Sequence, residues 1–130
     1  MTEIIYKEES YKLIGACMQV HRELGPGFLE AVYQEALEKE FIKQGIPYNR
    51  ESRLTIFYNG QKLKKYYVAD FLCYDKIVVE TKASKYLVQA FQEQLVNNLR
   101  AVNLKLGLLV NFGQPSLVYK RYINVLYNSL

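Results

Sequence analysis

Three side chains could do chemistry together: Asp70, Glu80 and Lys82. Each interrupts an apolar run. Asp70 lies within 66–74 (YYVADFLCY), and Glu80 and Lys82 lie within 77–83 (IVVETKA). In an extended strand, residues two apart project from one face, so Glu80 and Lys82 share a side. An isolated ionised carboxylate is costly to bury unless it is paired or binds a metal. One solution pairs Glu80 with Lys82. Another follows if the two segments fold back on each other through the turn residues Asp75-Lys76, which would bring Asp70 against Glu80. Two adjacent carboxylates repel unless something positive lies near them. A divalent cation with oxygen ligands, flanked by Lys82, satisfies that requirement.

The remaining reactive residue types offer less. His21 is the only histidine. It falls near a helix C-terminus, where a cation is favoured, and reads as structural more readily than catalytic. A single histidine gives no His-pair metal site, which again favours carboxylates and a hard metal. Cys17 and Cys73 are far apart and have no zinc-type spacing. They read as inert core residues of a reducing, cytoplasmic environment.

Around these residues the chain divides into recognisable elements. Leu13, Cys17, Val20 and Leu24 recur at helical spacing, predicting a helix over 8–24 that ends at Gly25-Pro26-Gly27. A second helix is expected over 28–44, with Leu29, Val32, Ala36 and Leu37 as its apolar stripe and Gly45 and Pro47 closing it. Residues 53–58 and 62–74 are rich in β-branched and aromatic types and flank Asn59-Gly60, a strong hairpin signal. Strict alternation would place Tyr66, Val68, Asp70 and Leu72 on one face and Tyr67, Ala69, Phe71 and Cys73 on the other. Residues 77–83 form a third strand. A third helix follows over 87–103, with Val88, Phe91, Leu95, Leu99 and Val102 on one side and Gln94 on the same face as Phe91, Leu95 and Asn98. The unbroken apolar run 106–112 marks a strand covered on both faces. Residues 117–125 suggest a last strand, with 123–130 alternatively ending as a short helix. The order is α-α-β-β-β-α-β-β, with a parallel βαβ unit over 77–112, and the expected fold is α/β, a mixed sheet flanked by helices.

Size and charge narrow the function. The chain has 130 residues, which suits a single domain over 1–130. No apolar run approaches a membrane span, and the N-terminus lacks the basic and apolar regions of a signal peptide. The net charge of +4 is unevenly placed: 1–51 carry six Lys/Arg and nine Asp/Glu, whereas 52–130 carry eleven and four. The basic second half is where a polyanion would sit, unless its charges only solvate the surface.

Asp70, nine intervening residues and then Glu80-Thr81-Lys82 resemble the D…(D/E)-x-K signature of the PD-(D/E)xK nuclease superfamily. Gly27-Phe28-Leu29-Glu30-Ala31-Val32-Tyr33 resembles the motif of the bacterial GxxExxY protein family, grouped within that superfamily. The resemblance extends over 20–27 and 105–112. It implies a restriction-endonuclease-like core in which Asp70 and Glu80 hold Mg2+ or Mn2+ and Lys82 assists attack of water on a phosphodiester of DNA, or alternatively RNA. Glu30 resembles the acid that an N-terminal helix often adds to the metal site; read without the resemblance, it is a first-turn acid favoured by the helix dipole. Tyr33 reads as a packing and hydrogen-bonding residue. Gln94 resembles the glutamine that supports such sites from the helix after the E-x-K strand. Two positions depart from the pattern: Phe91 stands where relatives often carry histidine, and Ala69 precedes Asp70 in place of proline. The resemblance also leaves room for a homodimer, and for a non-catalytic module that binds nucleic acid or protein on the same fold.

Overall fold

The computed structural model describes residues 4–129. The extreme N-terminus, on which the absence of a signal peptide turns, and Leu130, the end of the alternative terminal helix, lie outside the described residues. The elements are α1 (Lys7–Leu24), α2 (Glu30–Gln44), β1 (Tyr48–Tyr58), β2 (Gln61–Cys73), β3 (Ile77–Lys82), α3 (Gln89–Val102), β4 (Leu106–Asn111) and β5 (Val118–Ile123). They form one mixed sheet in the order β1-β2-β3-β4-β5. β3 and β4 are parallel, as a helical crossover requires, and the other neighbours are antiparallel.

The helices cover both faces. Leu13, Cys17 and Val20 of α1 and Tyr33, Leu37 and Phe41 of α2 pack on Phe71, Val79, Leu108 and Val110. Leu95 and Leu99 of α3 pack on the opposite face, against Leu72, Val78 and Leu109. Every residue of β4 is buried, as its unbroken apolar run requires. No helix among the described residues is long and apolar enough to cross a membrane.

Several expectations are corrected. α2 begins at Glu30, so Leu29 precedes it and is exposed, as is Val32; the buried stripe is Tyr33, Leu37 and Phe41. Val88 likewise precedes α3 and is exposed. β1 begins five residues earlier than its composition suggests, at Tyr48. Tyr48 and Arg50 are polar at the tip, yet Tyr48 packs against Phe41 and Phe71, and both residues bond Glu38 of α2. After β5 the chain turns at 125–126, and no terminal helix forms among the described residues.

The remaining correction bears on the site. β2 does not alternate strictly. Phe71 and Cys73 face α1 and α2, but Ala69 and Tyr67 join Leu72 on the α3 side. The reversal falls at Asp70. Opposite it in β1, between the Arg50–Phe71 and Ser52–Ala69 pairs, Glu51 adopts a positive φ of 51°. A residue in that conformation bends its own strand away from regular extended geometry. The N-terminal part of β2 is also more exposed than a central strand would be, with Tyr66 and Val68 nearly half accessible.

Candidate active site

β2 and β3 part at Asp70. Their ladder runs from Cys73–Ile77 to Phe71–Val79 and stops there. Beyond it, side chains replace backbone pairing. The Asp70 amide donates to Glu80 Oε1 at 3.0 Å, and the Thr81 amide donates to Asp70 Oδ2 at 2.8 Å. The fork therefore holds both carboxylates against each other by hydrogen bonds that each would otherwise lack.

Further partners complete the frame. Thr81 Oγ1 donates to Asp70 Oδ2 at 3.1 Å and accepts from Gln34 Nε2 of α2 at 2.9 Å. Arg50 in turn donates to Gln34 and to Glu38. On the other side, the Tyr67 hydroxyl donates to Glu80 Oε1. The bonds that the two carboxylates accept from these groups fall on Asp70 Oδ2 and Glu80 Oε1. Burial, and then the neighbouring Asp70 charge, push Glu80 up to about 7, against the opposing pull of its bonds from Tyr67 and the Asp70 amide. Burial and the Glu80 charge raise Tyr67 well above the ordinary phenol range, so it remains a donor.

Lys82 does not pair with Glu80. Among the described residues no ion pair joins them, and Lys82 Nζ lies 4.3 Å from the centroid of the Phe91 ring on α3. The position that departs from the histidine pattern thus supplies an aromatic face to the lysine. Glu80, Lys82, Phe91 and Gln94 line a cavity of about 330 Å³ with Tyr67 and Asn98. Gln94 is solvent-exposed there. Asp70 does not line this cavity; its side chain turns toward Thr81, which Gln34 ties to α2.

Glu30 is the first residue of α2 and is exposed overall. Its carboxyl is nevertheless raised by partial desolvation, with Lys82 opposing and Asp70 reinforcing the shift, so it feels both charges of the fork. Among the described residues no three His, Cys, Asp or Glu side chains form a closed metal cluster. The fork brings Asp70 and Glu80 together; Glu30 stands outside that contact.

The spacing of Gly27, Glu30 and Tyr33 has a local explanation. Tyr33 is fully buried and stacks on Phe112 at 4.7 Å. Its hydroxyl donates to the Gly25 carbonyl at 2.6 Å and accepts from the Phe28 amide at 3.2 Å. One side chain thereby pins the 25–28 loop and sets where α2, and so Glu30, begins. At the other end of the fork, buried Asn111 holds Ser84 through both backbone atoms, and the Phe112 amide donates to the Lys82 carbonyl at 2.8 Å. Gly113 fits here because a Cβ would come within 2.3 Å of the Ser84 carbonyl oxygen.

His21 is buried, with Nε2 2.8 Å from the Gln114 carbonyl oxygen, a structural placement. Cys17 and Cys73 are buried free thiols; burial raises both, Cys73 to about 12.

Tyr67, Thr81, Gln34 and Asn111 were not legible as site residues. Gln34 had one usable signal: it lies four residues after Glu30, on the same helix face. Tyr67 had none, because alternation assigns it to the face opposite Asp70's neighbours.

The donor set suits one hard cation. It offers the carboxylate oxygens of Asp70 and Glu80, a pair whose mutual repulsion a positive charge would relieve. No curated protein and no solved structure matches the chain significantly. The element order and mixed sheet agree with a restriction-endonuclease-like core. A family model described as the PD-(D/E)XK nuclease superfamily matches residues 7–122, from the start of α1 almost to the end of β5, and the chain therefore belongs to the PD-(D/E)XK nuclease superfamily.

Proposed function

We propose that this protein is a divalent-metal-dependent nuclease that hydrolyses phosphodiester bonds of DNA, and that it belongs to the GxxExxY branch of its superfamily. The observation that carries the reading is the meeting of Asp70 and Glu80 at the β2–β3 fork, with Lys82 one pleat further along β3. Support for the branch comes from the Gly27-Glu30-Tyr33 block, whose tyrosine anchors the loop that sets Glu30 at the head of α2.

In this reading Asp70, Glu80 and Glu30 would hold Mg2+ or Mn2+. That ion, when bound, would supply a water of lowered pKa and polarise a phosphoryl oxygen. Lys82, whose ammonium lies against the Phe91 ring, places its charge where the phosphate gains negative charge during attack. Gln94, at the cavity wall, orients the substrate backbone. Thr81 and Tyr67 keep the two carboxylates in place. Water adds to phosphorus, one ester P–O bond breaks, and a phosphomonoester and a free hydroxyl result.

The test is cleavage of linear and circular DNA, and of RNA, by the purified chain with Mg2+ or Mn2+. The expected outcome is metal-dependent cleavage of DNA that Asp70→Ala and Lys82→Ala each abolish. Absence of cleavage with either metal, together with no metal uptake in calorimetry, would refute the catalytic reading. Metal-independent binding of DNA unchanged by Glu80→Gln would leave a binding module in its place.

A further inference from the structure

β3 pairs only with Phe71, Leu72 and Cys73 of β2, although β2 is 13 residues long. The rest of β2 pairs with β1 alone. Residues 52–69 therefore leave the sheet as a two-stranded ribbon, roughly 24 Å long at the usual strand rise. Its root leans on α3 through Leu54 and Tyr67. Its wall, through Ile56, Tyr66 and Val68, borders the cavity that holds Glu80 and Lys82.

The ribbon's composition is one-sided. Residues 52–69 contain Arg53, Lys62, Lys64 and Lys65 and no acid. All four basic residues are exposed, as are Phe57, Tyr58 and Leu63 near the tip. The pairing shifts between Thr55–Tyr66 and Phe57–Lys62, which sets Leu63, Lys64 and Lys65 opposite Ile56 alone. Such a bulge sharpens the twist and re-aims side chains.

We infer that this ribbon is a docking arm for double-helical DNA, inserted along the major groove beside the phosphate that reaches the fork. The inference rests on the nuclease reading for its placement of the scissile phosphate. Three features select the occupant. Four cations on a ribbon whose own sequence holds no acid complement a phosphate backbone. The same lysines oppose edge-to-edge pairing with a second copy, which would bring like charges together. The B-form major groove admits a two-stranded ribbon, whereas the deep, narrow groove of A-form RNA does not. Single-strand stacking is disfavoured at Tyr66, whose ring already carries the Arg53 guanidinium 5.0 Å from its centroid.

The test uses the full chain and the variant Lys62→Ala/Lys64→Ala/Lys65→Ala, whose folding is checked by circular dichroism melting. Binding of a fluorescent DNA duplex is followed by anisotropy in EDTA across a salt series. Hydrolysis of bis(p-nitrophenyl) phosphate with Mn2+ is measured in parallel, because that small diester would occupy the cavity at the ribbon's root and not the lysines near its tip. The expected result is binding weakened about tenfold or more near 0.1 M salt, with a salt slope smaller by about 2.7 and unchanged hydrolysis of the small diester. Equal affinity and slope in the variant would overturn the arm and leave the nuclease reading standing. Equal binding of an RNA duplex, or a change in sedimentation with DNA affinity untouched, would also overturn it, in favour of shape-blind binding or a second copy. A wild-type chain inert toward every phosphodiester would count against the catalytic reading alone, and lost duplex affinity in the variant would still support the arm.

Discussion

Replacing Glu80 by glutamine should stabilise the metal-free protein and abolish its stabilisation by metal. The fork raises the Glu80 carboxyl from 4.5 to about 7, chiefly through burial and then through Asp70. For an acid whose folded-state pKa lies above its unfolded value, the carboxyl is protonated in both states below about 4.5, and stability is then greatest. As pH rises through the interval to about 7, the unfolded chain ionises first and folding loses free energy; above about 7 the loss is complete. At about 1.4 kcal/mol per unit, and discounted for the carboxyl's remaining solvent contact, the penalty is about 2–3 kcal/mol. Glutamine keeps an acceptor for Tyr67 and the Asp70 amide and turns a donor toward the Asp70 carboxylate. Urea unfolding in EDTA should therefore show Glu80→Gln more stable than wild type by about 2–3 kcal/mol at pH 8, with the difference vanishing near pH 4.5. Added Mn2+ at about a hundred times its Kd should return about 2.7 kcal/mol to the wild type and little to the variant. If Glu80→Gln is no more stable than wild type at pH 8 in EDTA, the carboxylates are not in conflict and the electrostatic case for a cation fails.

Three other perturbations probe the supports of the fork. Gly113→Ala should destabilise by about 1–3 kcal/mol in urea unfolding, because its Cβ meets Ser84 backbone that cannot move like a flexible side chain. Tyr33→Phe keeps the stacking on Phe112 but strips the hydroxyl from Gly25 and Phe28; a loss of about 1–2 kcal/mol is expected, read by thermal melting, and full stability would show that the loop does not depend on it. Phe91→Leu should leave folding nearly intact but lower kcat about two- to fivefold, the worth of one exposed cation–π contact, with KM for the small diester little changed.

Much of the frame was legible because it depends on local rules. Helical spacing placed α1 and α3, Asn59-Gly60 placed the β1–β2 turn, where both residues have positive φ, and the apolar run 106–112 placed the buried β4. The nearness of Asp70 and Glu80 was also legible, since a short turn between antiparallel segments sets which residues lie across from each other. The bounds of α2 and β1 were less so, because Leu29 and Val32 are apolar yet exposed, while Tyr48 and Arg50 find their partners on another element.

The sequence by itself determined the order of elements, the parallel β3–α3–β4 unit and the meeting of two acids beside a lysine. Tertiary structure alone decided what those charges touch. Alternation is a rule for a regular strand, and β2 departs from it at Asp70, opposite the positive φ of Glu51, so that Tyr67 lies on the side where it reaches Glu80. Thr81 and Gln34 meet across 47 residues, and Lys82 finds Phe91 in place of Glu80. Such partnerships arise from the packing of α2 and α3 on opposite faces of one sheet, and no local spacing encodes which face a kinked strand presents.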